Sequence, residues 1–284
     1  MAKENPDFTM DEKSVKMQKA YNDPTFLHSP DARTVRILTE YLEPQARLRR
    51  EKIRGTLVFF GSARSLPSED VQPILEDAER RVREDGDAKA LEALENARGI
   101  ARNSRYYEEG VELAQKLTDF YQNQPDPRDR FVVCSGGGPG VMEAANRGAR
   151  QADGKTVGFC ISLPHEQTAN RYLMPDLSFE FHYFFMRKYW FVYLARALVI
   201  FPGGFGTLDE LFEVLTLLQT RKVRKTLPIV LYGSAYWREV INFEAMVRWG
   251  MVAKEDLQMF HWCDSPQEAF DYLREAIPLH KSHL

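Results

Sequence analysis

Two glycine-rich stretches each join a β-branched run directly to a helical pattern, and they constrain the fold of this chain more than any other feature. The first runs Phe131-Val-Val-Cys-Ser-Gly-Gly-Gly-Pro-Gly-Val-Met-Glu-Ala-Ala-Asn146. The second runs Leu198-Val-Ile-Phe-Pro-Gly-Gly-Phe-Gly-Thr-Leu-Asp-Glu-Leu-Phe-Glu213. A strand that ends in glycines and passes at once into a helix presents unpaired N–H groups and the positive end of the helix dipole, on backbone that an anion can approach closely. Two such junctions in one sheet point to a phosphate-bearing ligand held between two loops.

The rest of the pattern fits the same architecture. Thr56–Phe60 is a continuous apolar run closed by Gly61-Ser62-Ala63-Arg64, which suits a strand buried on both faces. Further strands are predicted at 131–134, 156–163, 197–201, 227–232 and 260–263, with an extended aromatic stretch at 179–185. Helices are predicted at 141–152, at about 186–196, at 208–219 and 236–249, and from Ser265-Pro266 to about Ile277. Strands that alternate with helices build βαβ units, so the expected class is α/β: a Rossmann-like, doubly wound, mainly parallel sheet with helices on both faces. Ligands of such sheets bind at the C-terminal strand ends near the switch point, where Gly61, Ser62, Gly136 and Gly203 would share a crevice.

Upstream, Ser29-Pro30-Asp31 reads as a helix start, with Ser29 as N-cap and Pro30 at the first position, and the helix is expected to break near Pro44. Residues 69–123 read as helix. Their middle part, about 76–107, carries dense charge of mixed sign and predicts a solvent-exposed helical pair broken near Gly86, an oligomerisation arm being the alternative. The expected organisation is an N-terminal helical extension, 1–50, and a Rossmann-like domain, 51–284, with a helical insertion at about 76–107.

Composition excludes several function classes. A net charge of −3 gives no global argument for nucleic-acid binding, where a basic face is expected, and leaves a local basic patch open. Cys134, Cys160 and Cys263 are odd in number and widely spaced, without zinc-ligand spacing, and read as free thiols in a reducing compartment. The polar start lacks the apolar core of a signal peptide, and no apolar run approaches the about 20 residues of a membrane span. A cytoplasmic protein without membrane contact, metal or cofactor is the expectation.

The first loop is neither G-x-G-x-x-G nor G-x-x-x-x-G-K-[ST], so ordinary dinucleotide and P-loop readings are unsupported. Gly136, Gly137, Gly138 and Gly140 are either a tight turn that lets helix and strand pack closely, or backbone facing a phosphate. In the second loop, Thr207 and Glu210 have the spacing of a capping box. The alternative puts the Thr207 hydroxyl and the Gly206 N–H on a phosphate and Glu210 on a sugar. Glu213 lies one helical turn further on the same face. By pattern alone, Arg187 and Lys188 are surface or snorkelling charges.

Taken together, Ser135-Gly-Gly-Gly-Pro-Gly-Val-Met-Glu-Ala-Ala-Asn146, Met186-Arg187-Lys188 and Pro202-Gly-Gly-Phe-Gly-Thr-Leu-Asp-Glu210 resemble the LOG ("lonely guy") family over about residues 55–275. These proteins are cytokinin riboside 5′-monophosphate phosphoribohydrolases, often mislabelled as lysine decarboxylases. The resemblance implies a Rossmann-like fold, a homodimer or higher homo-oligomer, and hydrolysis of a nucleoside 5′-monophosphate to free base and ribose 5-phosphate. It implies that Arg187 and Glu210 are the catalytic pair, and that Met186, Lys188, Gly203, Gly204, Gly206 and Thr207 lie at the nucleotide. Pro164-His165-Glu166 resembles the family's P-R-E segment, with His165 in place of the arginine, and places Glu166 near the ligand. Thr216 falls where some members have a ligand-contacting threonine. A non-catalytic binding module like the molybdenum-cofactor carrier proteins is the alternative. A decarboxylase would need a Schiff-base lysine with a partner for the ring nitrogen, and no such constellation accompanies Lys188.

Overall fold

The computed structural model describes residues 17–162 and 169–280. After a 3-10 turn at Ala20–Asn22, the elements follow in chain order: α1 (Pro24–His28), α2 (Arg33–Arg50), β1 (Thr56–Phe60), α3 (Ser68–Glu84) and α4 (Ala88–Gln122). Next come β2 (Val132–Ser135), α5 (Val141–Gln151), β3 (Thr156–Ile161), β4 (Ser178–Phe181), α6 (Phe184–Leu194), β5 (Ala195–Ile200) and α7 (Phe205–Gln219). The chain closes with β6 (Ile229–Tyr232), α8 (Ser234–Val240), α9 (Phe243–Arg248), β7 (His261–Cys263) and α10 (Pro266–Ala276).

The strands form one seven-stranded sheet in the order β4-β3-β2-β1-β5-β6-β7, with every pairing parallel. From β1 the chain builds outward to β4, then crosses back to start β5 on the other side of β1. The switch point therefore lies at β1, and the loops after β1, β2 and β5 leave the same edge side by side. Strand periodicity divides the core. Leu57 and Phe59 of β1 pack with residues of α4, α5 and α10 on one face, while Val58 and Phe60 pack with α6, α7 and α8 on the other. The apolar runs are continuous because both faces are covered.

Several expectations change at the N-terminus. Ser29 does not start the long helix. Asp23 caps the short α1, accepting from Thr25 N–H at 2.9 Å, and Ser29 closes it by donating its hydroxyl to Phe26 O. The long helix α2 begins at Arg33 and continues past Pro44 to Arg50. A proline inside a helix leaves the carbonyl four residues earlier without a donor. Here the Trp190 indole N–H fills that vacancy, donating to Glu40 O at 3.0 Å, so the helix survives and is tied to α6. Glu40 also accepts from His182 N–H and Tyr183 N–H.

The charged stretch does form a helical pair, α3 and α4, turning at Gly86 with φ +59°. Ala78, Leu94 and Ala97 give it a small apolar core of its own. Its second helix does not stop at the end of the arm: Leu113, Leu117 and Tyr121 of α4 belong to the sheet core. The predicted helix 236–249 is two helices, α8 and α9, separated where Asn242 caps Ala245 N–H. The extended stretch ends at Phe181, and β3 ends at Ile161, Leu163 lying outside the described residues. The three cysteines are free. Among the described residues, no helix is long and apolar enough to cross a membrane.

Candidate functional site

A cleft of about 940 Å³ opens at the C-terminal ends of β1, β2, β3 and β5. Gly61 and Ser62 line it from the first strand, Gly136, Gly137 and Gly138 from the first glycine junction, and Gly203, Gly204, Gly206 and Thr207 from the second. Arg187 and Glu210 face each other in its wall.

The second junction is the open one. Helix α7 starts at Phe205 with Gly204 as its N-cap, and no side chain caps it. Thr207 is thus inside the first turn, and the capping-box reading of Thr207 and Glu210 gives way. Gly203 is required because a Cβ there would overlap Thr207 Oγ1. A Cβ on Gly204 or Gly206 would meet nothing within 4 Å. Leu208 N–H is the first amide of α7 to find a carbonyl, Gly204 O, which leaves the preceding three N–H groups without a partner among the described residues. Tyr236 of α8 supports the loop from behind, its hydroxyl donating to Gly203 O at 2.7 Å.

Glu210 is 4% exposed. Its carboxylate lies 3.7 Å from Arg187 Nη2 and 3.4 Å from Lys188 Nζ. Burial pushes its pKa up, and the Lys188 and Arg187 cations pull only part of that back. Arg187 is pushed down by burial and partly restored by Glu210. Its guanidinium makes no hydrogen bond among the described residues, and the buried Nε has no partner. It is held instead by the faces of Phe184 and Phe191, at 5.2 and 5.7 Å from the ring centroids. An arginine with unspent donors beside a buried carboxylate is arranged to receive a polar ligand.

Other predicted residues fall elsewhere. Lys188 points to carboxylates, 2.9 Å from Asp209 and 2.7 Å from Glu213, and does not line the cleft. Glu213 and Thr216 lie with Phe205 and Phe212 along a shallower groove on the outer side of α7. Met186 is a buried residue of α6 and packs into the core. Gly140 seals the start of α5: at φ +70°, its missing side chain makes room for Ser62 O and Ala63. Glu166 lies outside the described residues.

Sequence spacing does not reveal the network behind the first junction. Asn170 donates to Gly137 O, Gly138 O and Asn146 Oδ1, Ser135 donates to Asn146 Oδ1, and Asn146 donates to Thr156 Oγ1. Cys160 also lines the cleft, but burial pushes its thiol up to about 11, so it is protonated at neutral pH. Two clusters could in principle ligate a cation: His261 with Cys263 and Glu268, and Asp126 with Asp129 and His280. Neither lines the cleft. Glu268 is engaged with Asp264 N–H, Asp126 with Arg128, and Asp129 with His280.

Comparison with known proteins shows what this geometry is similar to. The family profile described as "Possible lysine decarboxylase" matches residues 142–273. The Escherichia coli pyrimidine/purine nucleotide 5′-monophosphate nucleosidase is 27% identical over 168 residues, covering 53% of this chain and 35% of that protein. The cytokinin riboside 5′-monophosphate phosphoribohydrolase LOG4 of Arabidopsis thaliana is 24% identical over 184 residues, covering 64% of this chain and 80% of that protein. Over the matched region the chain is similar to LOG-type proteins. It spans about a third of the length of the nucleosidase it matches. Among solved structures, the molybdenum cofactor carrier protein of Chlamydomonas reinhardtii aligns with a TM-score of 0.40 at 18% identity, over 61% of this chain and 88% of that one.

Proposed function

We propose that this chain hydrolyses the N-glycosidic bond of a nucleoside 5′-monophosphate, AMP or a cytokinin riboside monophosphate, to free base and ribose 5-phosphate. One observation carries the reading: the hydrogen-bond-free guanidinium of Arg187 faces the buried carboxylate of Glu210 beside the open start of α7. The amides of Phe205, Gly206 and Thr207 bind the phosphate, as helix starts do. Fixing the phosphate there orients the ribose, and binding energy from this non-reacting group is used to align the reacting one.

Breaking the C1′–N bond leaves the electron pair on the base and positive charge on the ribose ring, as in other glycoside hydrolyses. Glu210, ionised, stabilises that charge from a site where water cannot screen it. Water adds its oxygen to C1′, and the proton it releases goes to the departing base. Arg187 donates to the nucleotide and offsets negative charge that develops on the leaving group. Chromatography of a nucleoside monophosphate panel incubated with the protein tests the reading: free base and ribose 5-phosphate appear in equal amounts. Binding without any base release would instead favour a carrier-type module.

A homo-oligomer belongs to the same reading. Phe184, Phe185, Phe205 and Phe212 are exposed on α6 and α7, Phe205 at 92%, and Phe184 and Phe205 line the cleft. An apolar patch of this kind marks an interface. Light scattering is expected to give a mass above that of one chain, and a monomer at micromolar concentration would refute the assembly.

A further inference from the structure

Arg64, Ser65 and Asn103 line one corner of the cleft, and the chemistry proposed so far uses none of them. Arg64 and Ser65 belong to the loop after β1, and Asn103 to α4, inside the charged insertion. Ser65 is 1% exposed, and its hydroxyl has no partner among the described residues. Buried polar groups are nearly always satisfied, so an orphan on a cleft wall calls for a ligand.

The two neighbouring side chains are exposed and present their polar groups at the same corner of the cleft. Among the described residues, the Arg64 guanidinium forms neither an ion pair nor a hydrogen bond, whereas nearby Arg147 pairs with Glu69 and Lys188 with Asp209. The Asn103 amide is likewise unspent. The corner is built onto both glycine junctions. Ser62 N–H donates to Pro202 O at 2.9 Å, and Val141 N–H donates to Ser62 O at 3.1 Å. Arg64 N–H turns back onto Ser62 Oγ at 3.0 Å. Arg64 is therefore two residues from a direct bond to the loop that opens α7. Asn103 is held beside it by α3, through Ser68 and Ser104 hydroxyls 2.9 Å apart and Ser68 N–H donating to Glu108.

A guanidinium offers donors only, an amide adds two more, and a hydroxyl can donate. The carboxylates that line the cleft, Glu180 and Glu210, come from β4 and α7. A positive, donor-rich corner fits an anion. We propose that Arg64, Ser65 and Asn103 are the second half of a phosphate clamp. They donate to the 5′-phosphate of the nucleotide from the side opposite the α7 amides. The inference rests on the nucleotide reading above and gives the insertion a role: α3 and α4 complete the substrate site.

The test is calorimetric binding of ribose 5-phosphate, AMP and adenosine to the wild-type chain and to Arg64→Ala, Arg64→Lys, Asn103→Ala and Arg98→Ala. Arg98 is exposed on the same helix and does not line the cleft. Arg64→Ala is expected to weaken ribose 5-phosphate and AMP at least tenfold and to leave adenosine unchanged. Arg64→Lys restores part of the loss, Asn103→Ala costs a few-fold, and Arg98→Ala is neutral. Unchanged ribose 5-phosphate binding in Arg64→Ala overturns the clamp, and so does an equal loss for adenosine. In either case, base release by the wild-type chain leaves the proposed reaction standing. A wild-type chain that binds no phosphorylated probe overturns the clamp and the reaction together.

Discussion

At Gly137 and Gly140 of the first glycine junction an added methyl group has nowhere to go, and at Gly204 and Gly206 of the second it has open space. A Cβ on Gly137 would overlap Cys160 Sγ and one on Gly140 would overlap Ser62 O, both at positive φ. On Gly204 or Gly206 it would meet nothing within 4 Å. Helix α5 spends its first amide on Ser62 O, whereas α7 reaches Leu208 before an amide is paired. The two junctions share a sequence pattern and a place in the sheet, yet glycine serves close packing at Gly137 and Gly140 and leaves open backbone at Gly204 and Gly206. A glycine-rich loop is thus read by what would fill its missing side chains.

That contrast gives its own tests. The largest effect is expected from Gly140→Ala, where an unfavourable φ adds to a clash with backbone: a loss on the order of 4 kcal/mol, read by urea denaturation. A fully stable variant would end the view of the first junction as a packing device. The same change at Gly206 should behave oppositely. It lies inside the first turn of α7, where alanine is favoured by roughly 0.5–1 kcal/mol, so stability holds or rises. Phosphate affinity, however, is expected to fall about tenfold, near 1.4 kcal/mol. If Gly206→Ala keeps wild-type affinity for ribose 5-phosphate, the second junction is not the phosphate site.

The smallest effect is a shift of the pH profile. Burial raises the Glu210 pKa above the ordinary 4.5, and the reaction needs its ionised form. Activity should therefore fall as the pH drops through that raised value, giving an acid limb above the usual carboxylate range. The sign for stability is the reverse. A carboxyl whose folded pKa is raised favours the folded state most when protonated, and that contribution is lost as pH rises through the folded pKa. At neutral pH, Glu210→Gln should be at least as stable as the wild-type chain.

Much of the fold was legible because strands buried on both faces leave continuous apolar runs, as Thr56–Phe60 and residues 197–200 do. Local spacing failed where a distant residue decides. Pro44 stays in its helix because Trp190 supplies the missing donor, and no window around Pro44 contains Trp190. Thr207 and Glu210 have capping-box spacing, yet the Gly204 backbone starts the helix and leaves both side chains to the cleft. The Arg187 and Glu210 pairing needed the family resemblance, since nothing local joins α6 to α7. Tyr236, Asn170 and Asn103 come to the cleft and its loops from separate elements without any shared motif. Glu213 and Thr216 sit near Glu210 in sequence but line a different surface of α7, and Lys188 lies among the carboxylates of Asp209, Glu210 and Glu213.

The central claim is that Glu210 acts on the ribosyl bond and does not serve to hold α7 together. The most direct measurement compares Glu210→Gln with the wild-type chain for AMP binding and adenine release on the same folded samples. The account predicts an unchanged or higher melting temperature, AMP affinity within a few-fold, and base release reduced on the order of 10²–10³-fold, the usual loss for a group that stabilises transition-state charge. A variant that melts early yet releases adenine at the wild-type rate per folded molecule would contradict it.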